Sequence, residues 1–318
     1  MHAAAISPRG GVTPKTTCLR GQSIIECVLI IAVIGLVIVF AGPGVARAIR
    51  NQFNLVGNTV NSGTNGGTEG GGASGGGSTG ADSATVQAAI AKDAKDWTLG
   101  EQKAVAEDIA SKGEASPAYA KAKATMDAGT KFSMKLTDGK TLTYRIIGIN
   151  HDDLADGNGK AGLTFVSTNN AMGDQRMNAT DTSVGGWEKS ELRGRLNTGD
   201  LWSLLPDELQ SKVKSVTKMT ANKGDGGAET STATTDKVFL LSSTEVWGDM
   251  RFGGTQYEYY KSKGVTKSNS SGASSVFGHC TRSLLEYNPG CFYYVSPYGD
   301  WRTVAAMDTV NVSIAFCF

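Results

Sequence analysis

The strongest fold signal in this chain of 318 residues is the stretch Phe132-Ser-Met-Lys-Leu136, Thr137-Asp-Gly-Lys140 and Thr143-Tyr-Arg-Ile-Ile-Gly-Ile149. Two runs of apolar and β-branched residues flank a polar segment with Asp-Gly at its centre, a pattern typical of a β-hairpin. Leu163-Thr-Phe-Val166 predicts a further strand after it. The pattern therefore indicates a sheet that begins near residue 132, within a mixed α/β region.

The residues that precede this hairpin, 83–128, are predicted to be helical. Apolar residues with helical spacing predict a first helix that begins near Ser83. Thr98-Leu-Gly-Glu101 fits a capping box, which predicts the start of a second helix. Residues 121–128 are predicted to form a third, short helix.

Beyond the hairpin the sequence predicts further helices and strands. The predicted elements are helices at 187–196 and from Pro206 to Val216, and strands at 238–242, 292–295 and 310–318, the last two on either side of a Gly299-Asp300 turn. Residues 221–236 are predicted to be a loop.

A second strong pattern lies near the N-terminus. An apolar run from Cys27 to Gly42 follows Glu26 and, as a helix, can nearly cross a hydrocarbon layer of about 30 Å. A basic leader ends in Gly21, and Glu26 is the fifth residue after that glycine. An ionised carboxylate at the start of a membrane helix is costly unless it is paired or lies near the headgroups. The run is therefore either a plain membrane anchor or a helix whose glutamate has a partner.

This spacing resembles the class III signal of type IV pilins and their short Flp-type relatives. The resemblance implies that a prepilin peptidase removes the leader, residues 1–21, by cleavage between Gly21 and Gln22. It also implies that Glu26 pairs with the new amino terminus of a neighbouring pilin subunit, so that residues 22–56 form the transmembrane and assembly helix of a homo-oligomeric fibre. Such a pair neutralises a charge that is unfavourable in lipid. The expected location is the bacterial cytoplasmic (inner) membrane before assembly, then the cell surface or pilus, with the C-terminal domain extracellular.

Composition adds a linker and excludes one class of partner. Many of the 41 glycines lie in residues 57–82, a Gly/Ser-rich segment with the root-mean-square span of a flexible coil, about 25–30 Å. The 31 basic and 30 acidic residues leave a net charge of +1, so no nucleic-acid partner is expected.

Several motifs in the remaining chain, residues 83–318, resemble a bacterial surface domain known as DUF6273. They are Tyr144 to Asp152, Gly186 to Asn197, Asp236 to Ser242, Thr281-Arg-Ser283 and Ala315-Phe-Cys-Phe318. The resemblance spans about Lys131 to Phe318 and implies a relative of the C-type-lectin-like and formylglycine-generating-enzyme fold. The predicted fold class is α+β: a long N-terminal hydrophobic helix, a flexible linker, and a lectin-like domain with a twisted antiparallel sheet and flanking helices.

The segment Leu284–Asp308 is the predicted ligand-binding region. Tyr, Trp and Arg side chains on a rigid scaffold anchor a partner at low entropy cost. The candidate ligand-binding residues are Tyr287, Tyr293, Tyr298, Asp300, Trp301 and Arg302. Alternatively, alternate strand residues fill the core, which would bury Phe292 and leave Tyr293 outside. In some C-type-lectin-like receptors the comparable segment is diversified by retroelements, and the same hypothesis applies here.

Cysteine positions suggest one disulfide bond and no metal site. Cys291 and Cys317 lie in strand-like runs of a domain expected outside the cell, so they are the candidate pair. Cys/His ligand spacing is absent, and the segment Asn150 to Gly159, although rich in oxygen atoms, lacks the closing acidic residue of an EF-hand. No metal and no cofactor are expected, and His151 is expected to anchor this turn.

These features favour a pilin-like surface subunit that displays a ligand-binding (adhesin) domain for an extracellular protein or glycan. One alternative is a membrane-anchored surface receptor that does not polymerise. Another is an enzyme of the formylglycine-generating type, for which Cys280 beside His279 would be the candidate pair. Adjacency in the sequence does not establish a catalytic geometry and generally points side chains apart, so catalysis is not expected.

Overall fold

The computed structural model describes residues 83–222, 230–248, 253–285 and 288–318. The predictions for the leader, the assembly helix and the linker, residues 1–82, lie outside the described residues, as does Tyr287. The chain separates into two units, Met1–Ser74 and Gly75–Phe318, and the elements below belong to the second. Within the described ranges, no helix combines the length and apolar character needed to cross a membrane.

The described part of the chain is α+β, with antiparallel strand pairs, in agreement with the predicted class. The helices are α1 (Ser83–Ala91), α2 (Leu99–Lys112), α3 (Tyr119–Asp127), α4 (Gly186–Lys189), α5 (Glu191–Asn197), α6 (Asp200–Ser203), α7 (Asp207–Gln210), α8 (Ser243–Trp247) and α9 (Glu258–Ser262). The strands are β1 (Phe132–Lys135), β2 (Thr141–Ile149), β3 (Leu163–Ser167), β4 (Asp174–Gln175), β5 (Val216–Ala221), β6 (Ser231–Asp236), β7 (Val238–Leu240), β8 (His279–Leu284), β9 (Cys291–Val295), β10 (Trp301–Ala305), β11 (Val310–Asn311) and β12 (Ile314–Cys317).

The helical start of the domain is confirmed. At the start of α2, Glu101 N donates to Thr98 Oγ1 at 3.2 Å and Thr98 N donates to Glu101 Oε2 at 2.7 Å, which completes the predicted capping box. Further along, α2 lies directly against the chain that enters β3. A Cβ atom on Gly162 would lie 1.8 Å from the Ala106 carbonyl oxygen, so this close approach requires glycine.

The predicted hairpin forms one edge of a five-stranded sheet with the order β1-β2-β3-β12-β7. Phe132 pairs with Tyr144 across the hairpin. At the turn, Lys140 N donates to Asp138 Oδ1 at 3.0 Å, and Gly139 has a φ of 82°, a conformation that glycine adopts without strain. The C-terminal strand β12 lies between β3 and β7, so the end of the chain is built into the sheet.

An aromatic cluster fills the core beside this sheet. The ring of Phe165 lies 5.6 Å from that of Tyr144, 5.4 Å from that of Phe316 and 5.3 Å from that of Phe318, measured between centroids. All four side chains are buried. Aromatic pairs at these distances contribute about 0.5–1.5 kcal/mol beyond the burial of their surface, so the cluster binds the C-terminus to the hairpin.

The predicted loop at residues 221–236 is wrong over most of its described part, because Ala221 ends β5 and residues 231–236 form β6. Residues 223–229 lie outside the described residues. This strand pairs with β5 from Asp236 opposite Val216 to Ser231 opposite Ala221. Its sequence, Ser-Thr-Ala-Thr-Thr-Asp, lacks the apolar alternation that marks a half-buried strand. Its threonines suit a pleated strand, and the pairing with β5 determines its conformation.

The chain after the Gly299-Asp300 turn also differs from the prediction. It returns as β10, and the later run, residues 310–318, is divided into β11 and β12. Between them, Ser313 Oγ donates to the Ser167 carbonyl oxygen at 3.1 Å, and Ile314 N donates to Ser167 Oγ at 2.9 Å. These bonds hold the chain at the end of β3, where it enters the sheet as β12.

Two helix predictions also need correction. The helix at residues 187–196 is two helices, since Ser190 ends α4 and caps α5 by accepting a hydrogen bond from Arg193 N at 3.2 Å. Pro206 is the N-cap of α7, and that helix ends at Gln210. Val216, predicted for the same helix, begins β5 instead.

Candidate functional site

The predicted ligand-binding residues that the structure describes lie on the β9–β10 hairpin and on the turn that joins its strands. Trp301 pairs with Val295 at the turn end of the hairpin. Ser296 N donates to the Asp300 carbonyl oxygen at 2.9 Å, and the Ser296 hydroxyl hydrogen-bonds to the Asp300 carboxylate. Below the turn, Trp247 Nε1 donates to the Gly299 carbonyl oxygen at 3.0 Å. The turn is therefore fixed to the domain core.

Four of the predicted residues lie next to one another in the chain, Tyr298 and Asp300 on this turn and Trp301 and Arg302 at the start of β10, and all four are at least partly exposed. Tyr298 is 81% exposed and Trp301 is 40% exposed. Arg302 NH2 lies 2.6 Å from Asp300 Oδ2, and the Arg302 side chain is 68% exposed. We call Tyr298, Asp300, Trp301 and Arg302 the hairpin surface. Exposed aromatic and arginine side chains on a fixed turn are well suited to anchor a partner.

Tyr293 does not belong to this surface, and the expectation that it lies outside is wrong. Its side chain is only 7% exposed, and its ring packs edge-on against Trp301 with centroids 6.2 Å apart. Lys267 Nζ lies 5.7 Å from the ring centroid of Tyr293 and 4.6 Å from that of Trp301. The segment that carries Lys267 thus covers the face of β9 that simple alternation would leave in solvent. Phe292 is fully buried, as predicted.

An exposed apolar pair extends the hairpin surface. Val276 is 73% exposed and Phe277 is 46% exposed. Their segment is joined to the turn, because Ser275 N donates to the Pro297 carbonyl oxygen at 3.1 Å. Sequence reasoning missed this pair, although two large apolar residues among serines and glycines are a usable signal of an exposed contact surface.

The domain interior contains a charged network that sequence reasoning also missed. Lys218 Nζ lies 2.5 Å from both Asp152 Oδ1 and Glu245 Oε1, and Arg282 NH1 lies 2.5 Å from Glu245 Oε2. All four side chains are buried. Tyr257, also buried, donates its hydroxyl to the Asp152 carboxylate at 2.9 Å. Two acids and two bases therefore neutralise one another inside the domain.

The network is structural, because each charge is held by its partners. Burial alone would raise the pKa of Glu245, but the charges of Arg282 and Lys218 outweigh it and hold that pKa below its usual value. The same balance, with Lys218 as the main partner, lowers the pKa of Asp152. The four residues come from the segment after β2, from β5, from α8 and from β8, so the network joins distant parts of the chain. The sequence around each of the four charges does not indicate which distant residue pairs with it.

His151 anchors the segment after β2. Its Nδ1 lies 3.0 Å from Glu258 Oε1, and its ring stacks on Tyr257 with centroids 4.0 Å apart. Burial alone would lower the pKa of His151, but the hydrogen bond to Glu258 and the charge of Asp152 raise it overall. Among the described residues, no group of three or more His, Cys, Asp or Glu side chains could hold a metal ion.

The candidate disulfide between Cys291 and Cys317 is not formed, and both cysteines are free. Cys317 pairs with Thr164 inside the five-stranded sheet, whereas Cys291 lies in the separate three-stranded sheet of β8, β9 and β10. The strand-like pattern of both runs was read correctly, but they are not neighbours. A disulfide bond requires close Cβ atoms, which strands of different sheets do not provide here.

Cys280 and His279 are adjacent and both buried, yet they do not form a nucleophile–base pair. Cys280 Sγ donates to the Thr281 carbonyl oxygen at 3.3 Å, and burial raises the pKa of its thiol to about 12. Burial and the charge of Arg145 lower the pKa of His279 to about 4. A neutral thiol beside a neutral imidazole lacks the activation that a cysteine nucleophile needs.

Comparison with known proteins found a family match for the C-terminal half of the chain. Residues 161–317 match the model of a family described as "Domain of unknown function (DUF6273)". This part of the chain is a DUF6273 domain. The match begins just before β3, and it contains the hairpin surface and three members of the charged network. The β1–β2 hairpin precedes the match. The predicted extent of the domain, from Lys131, is therefore wider than the match. No curated protein and no solved structure matched the chain.

Proposed function

We propose that this chain is a pilin-like subunit of the bacterial cell surface that displays its DUF6273 domain as a ligand-binding module. Three sequence features support the assembly part of the proposal: Gly21 before a cleavage position, Glu26 at the start of an apolar run, and a Gly/Ser-rich linker before the domain. Many copies on one fibre would turn weak single contacts into high avidity.

The observation that carries the binding part is the hairpin surface. The strongly exposed Tyr298 lies on a turn that Trp247 fixes from the core side, and Trp301 begins β10 directly after that turn, so little conformational entropy is lost when a partner contacts them. The partner class that suits such a surface is an extracellular protein or glycan. The α+β architecture and antiparallel sheets are compatible with the resemblance to the C-type-lectin-like fold, which we include in the proposal.

The hypothesis that retroelements diversify the C-terminal segment belongs to the same proposal. The burial of each residue in the fold predicts which positions would vary. Diversification of the segment Leu284–Asp308 would change exposed residues such as Tyr298 and Met307 and keep buried ones such as Phe292 and Val295, because core substitutions destabilise the scaffold. Sequencing this locus in sibling isolates tests it. Variation confined to the exposed positions supports the hypothesis, and an invariant segment rejects it.

The assembly proposal is tested on the mature protein. N-terminal sequencing should give a start at Gln22, and antibodies against the DUF6273 domain should label surface filaments. Glu26→Ala should abolish the filaments, whereas Glu69→Ala, which removes an acid from the linker, should leave them intact. An intact Met1 with the domain on the cell surface would instead favour an anchored receptor that does not polymerise, and a cut beyond Gly42 would reject the pilin assignment.

A further inference from the structure

A cleft with a volume of about 410 Å³ opens beside the hairpin surface. Two basic side chains, Lys131 and Arg145, and three hydroxyl side chains, Thr168, Ser274 and Ser275, line it. Within the described chain, no acidic side chain contributes to its lining. The composition of the walls therefore favours an anionic group.

A small chamber of about 10 Å³ adjoins this cleft, with Arg145, Thr168 and Ser275 common to both. Its volume is enough for about one oxygen-sized group. Two deeply buried polar residues, His279 (5% exposed) and Asn311 (8% exposed), form part of its wall. The chamber is therefore a polar extension of the cleft into the domain.

Four buried polar atoms of the chamber wall have no hydrogen bond of normal geometry within the described chain: Arg145 Nε, Asn311 Oδ1, and both ring nitrogens of His279. The Phe277 backbone interacts with the His279 ring and has a smaller effect on its pKa than burial and Arg145. Buried polar atoms are normally paired, so a group of four orphans around one chamber indicates an absent partner. Asn311 is held in place by its Nδ2, which donates to the Gly278 carbonyl oxygen at 3.1 Å. Its Oδ1 is thereby fixed as an acceptor.

Arg145 is also oriented before any ligand binds. Its NH1 donates to the Tyr259 hydroxyl at 2.5 Å, and its guanidinium carbon lies 4.7 Å from the centroid of the Tyr259 ring. The remaining Nε–H is a charged donor, the strongest kind for an oxyanion. His279 is neutral at physiological pH, so its ring offers one donor and one acceptor.

The donors and acceptors together define one ligand chemistry. The cationic donors are suited to bind a carboxylate. Asn311 Oδ1 and one His279 nitrogen are acceptors, so they are suited to bind a donor such as a hydroxyl group. We propose that this cleft binds a hydroxycarboxylate, with its carboxylate between Arg145 and Lys131 and its hydroxyl group in the chamber against Asn311 and His279. The site adjoins the exposed pair Val276 and Phe277, but none of the four residues of the hairpin surface lines it, and it does not depend on the assembly proposal.

The test is calorimetric titration of the purified full chain in detergent with four probes. Glycolate and D-glucuronate each carry a hydroxyl and a carboxylate, propionate lacks the hydroxyl, and D-glucose lacks the carboxylate. We expect binding of a hydroxycarboxylate with a dissociation constant of about 1 mM or lower, and at least about tenfold weaker binding of propionate and D-glucose. Tighter binding of glucuronate would identify an acidic sugar as the source, and tighter binding of glycolate a small free hydroxy acid.

Variants show whether the bound probe occupies this cleft. Lys131→Gln should weaken binding by about fivefold and Arg145→Gln by about tenfold or more, with partial recovery in Arg145→Lys. Lys135→Gln, which removes another exposed lysine of the same region, should have no effect. If Arg145→Gln does not fold, Lys131→Gln and the probe series still test whether a hydroxycarboxylate binds in this cleft. Equal binding of glucuronate and D-glucose, absence of binding by either hydroxycarboxylate, or unchanged affinity in Lys131→Gln would overturn the proposal.

Discussion

Asp152 and Lys218 are 66 residues apart in the chain and form a buried ion pair, with Lys218 Nζ 2.5 Å from Asp152 Oδ1. Lys218 also contacts Glu245, which in turn pairs with Arg282. The pair therefore joins the segment that precedes the matched DUF6273 range to the domain interior. Although the family match begins at residue 161, the folded unit includes residues before it.

Replacement of Lys218 tests the structural role of this network. Lys218→Met removes the shared cation and leaves Asp152 buried without its ion-pair partner, so we expect a loss of about 3–5 kcal/mol in the free energy of unfolding. Urea unfolding of the full chain measures it. Lys135→Met, at an exposed lysine, should change stability by less than about 0.5 kcal/mol.

A double variant separates the unpaired charge from the lost packing. Asp152→Asn combined with Lys218→Met should be less destabilised than the sum of the two single variants, because the two residues are coupled. Strict additivity of the two losses would show that the ion pair has no energetic role.

The two histidines of the described chain predict opposite effects of pH on stability. The pKa of His279 is lowered to about 4 in the folded protein, against about 6.5 in an unfolded chain. The unfolded chain therefore binds more protons between these values, and stability falls by about 2–3 kcal/mol as the pH decreases from about 6.5 to 4. An NMR titration of the His279 ring, together with urea unfolding across this range, measures both quantities.

His151 has the opposite effect on the pH dependence of stability, so it serves as the matched comparison for His279. Because its folded pKa is raised, it contributes stability that is present below about pH 6.5 and is lost as the pH rises through the folded pKa. His279→Gln should therefore flatten the acid-side loss. His151→Gln should lower stability below about pH 6.5 and remove the further loss that sets in as the pH rises through the folded pKa of His151. Asp152 and Glu245 have lowered pKa values, so the stability they contribute is lost mainly below this window. Identical pH profiles for the two variants would contradict these assignments.

Two tyrosines on the same hairpin are expected to respond differently to truncation. Tyr293→Ala removes a buried side chain and should cost about 2–4 kcal/mol of stability, whereas Tyr298→Ala, at an exposed position, should cost less than about 0.5 kcal/mol. Thermal unfolding of both variants measures the difference. Equal losses would show that the exposure assigned to Tyr298 is wrong.

The binding role of the hairpin surface is tested on a combined protein and glycan array probed with the full chain. Trp301→Ala should weaken the retained spots by about tenfold or more, because exposed tryptophans at a contact surface contribute strongly to affinity. Met219→Ala, at another exposed apolar residue, serves as the control and should retain them. Spots that survive Trp301→Ala unchanged would place binding elsewhere on the domain.

The burial of the described cysteines predicts how fast each one reacts with a thiol reagent. Cys291 is half-buried, whereas Cys280 and Cys317 are buried, and burial raises the pKa of all three thiols. Maleimide labelling mapped by mass spectrometry should modify Cys291 at least about tenfold faster than the other two in the folded protein. Labelling in denaturant should equalise the three. Recovery of a Cys291–Cys317 disulfide peptide from the untreated protein would contradict the assignment.

Features that are complete within a few residues were predicted well. The capping box of Thr98 and Glu101 and the Asp138-Gly139 turn each close their hydrogen bonds inside a short segment, so the local sequence contains both partners. β6 was missed for the opposite reason. Its conformation depends on pairing with β5 (Val216–Ala221), and the threonines of β6 carry no apolar alternation of their own.

The candidate site also has one part that the sequence predicted and another part that it did not. The sequence identified the turn that carries Tyr298 and the residues Trp301 and Arg302 directly after it, because aromatic and charged residues among turn residues form a local pattern. It could not show that the segment with Lys267 covers Tyr293, nor that Arg145 and His279 line one chamber. Those relationships join segments that are far apart in the chain, and composition contains no information about which distant segments meet.

The sequence by itself determined the helical start of the domain, the β1–β2 hairpin and the DUF6273 motifs, since caps, turns and apolar runs act over a few residues. The tertiary structure alone decided the place of β12 inside the sheet, the separation of Cys291 from Cys317, and the partners of Asp152, Lys218, Glu245 and Arg282. The physical reason is that burial of a charge or an aromatic ring depends on what the rest of the chain brings to it.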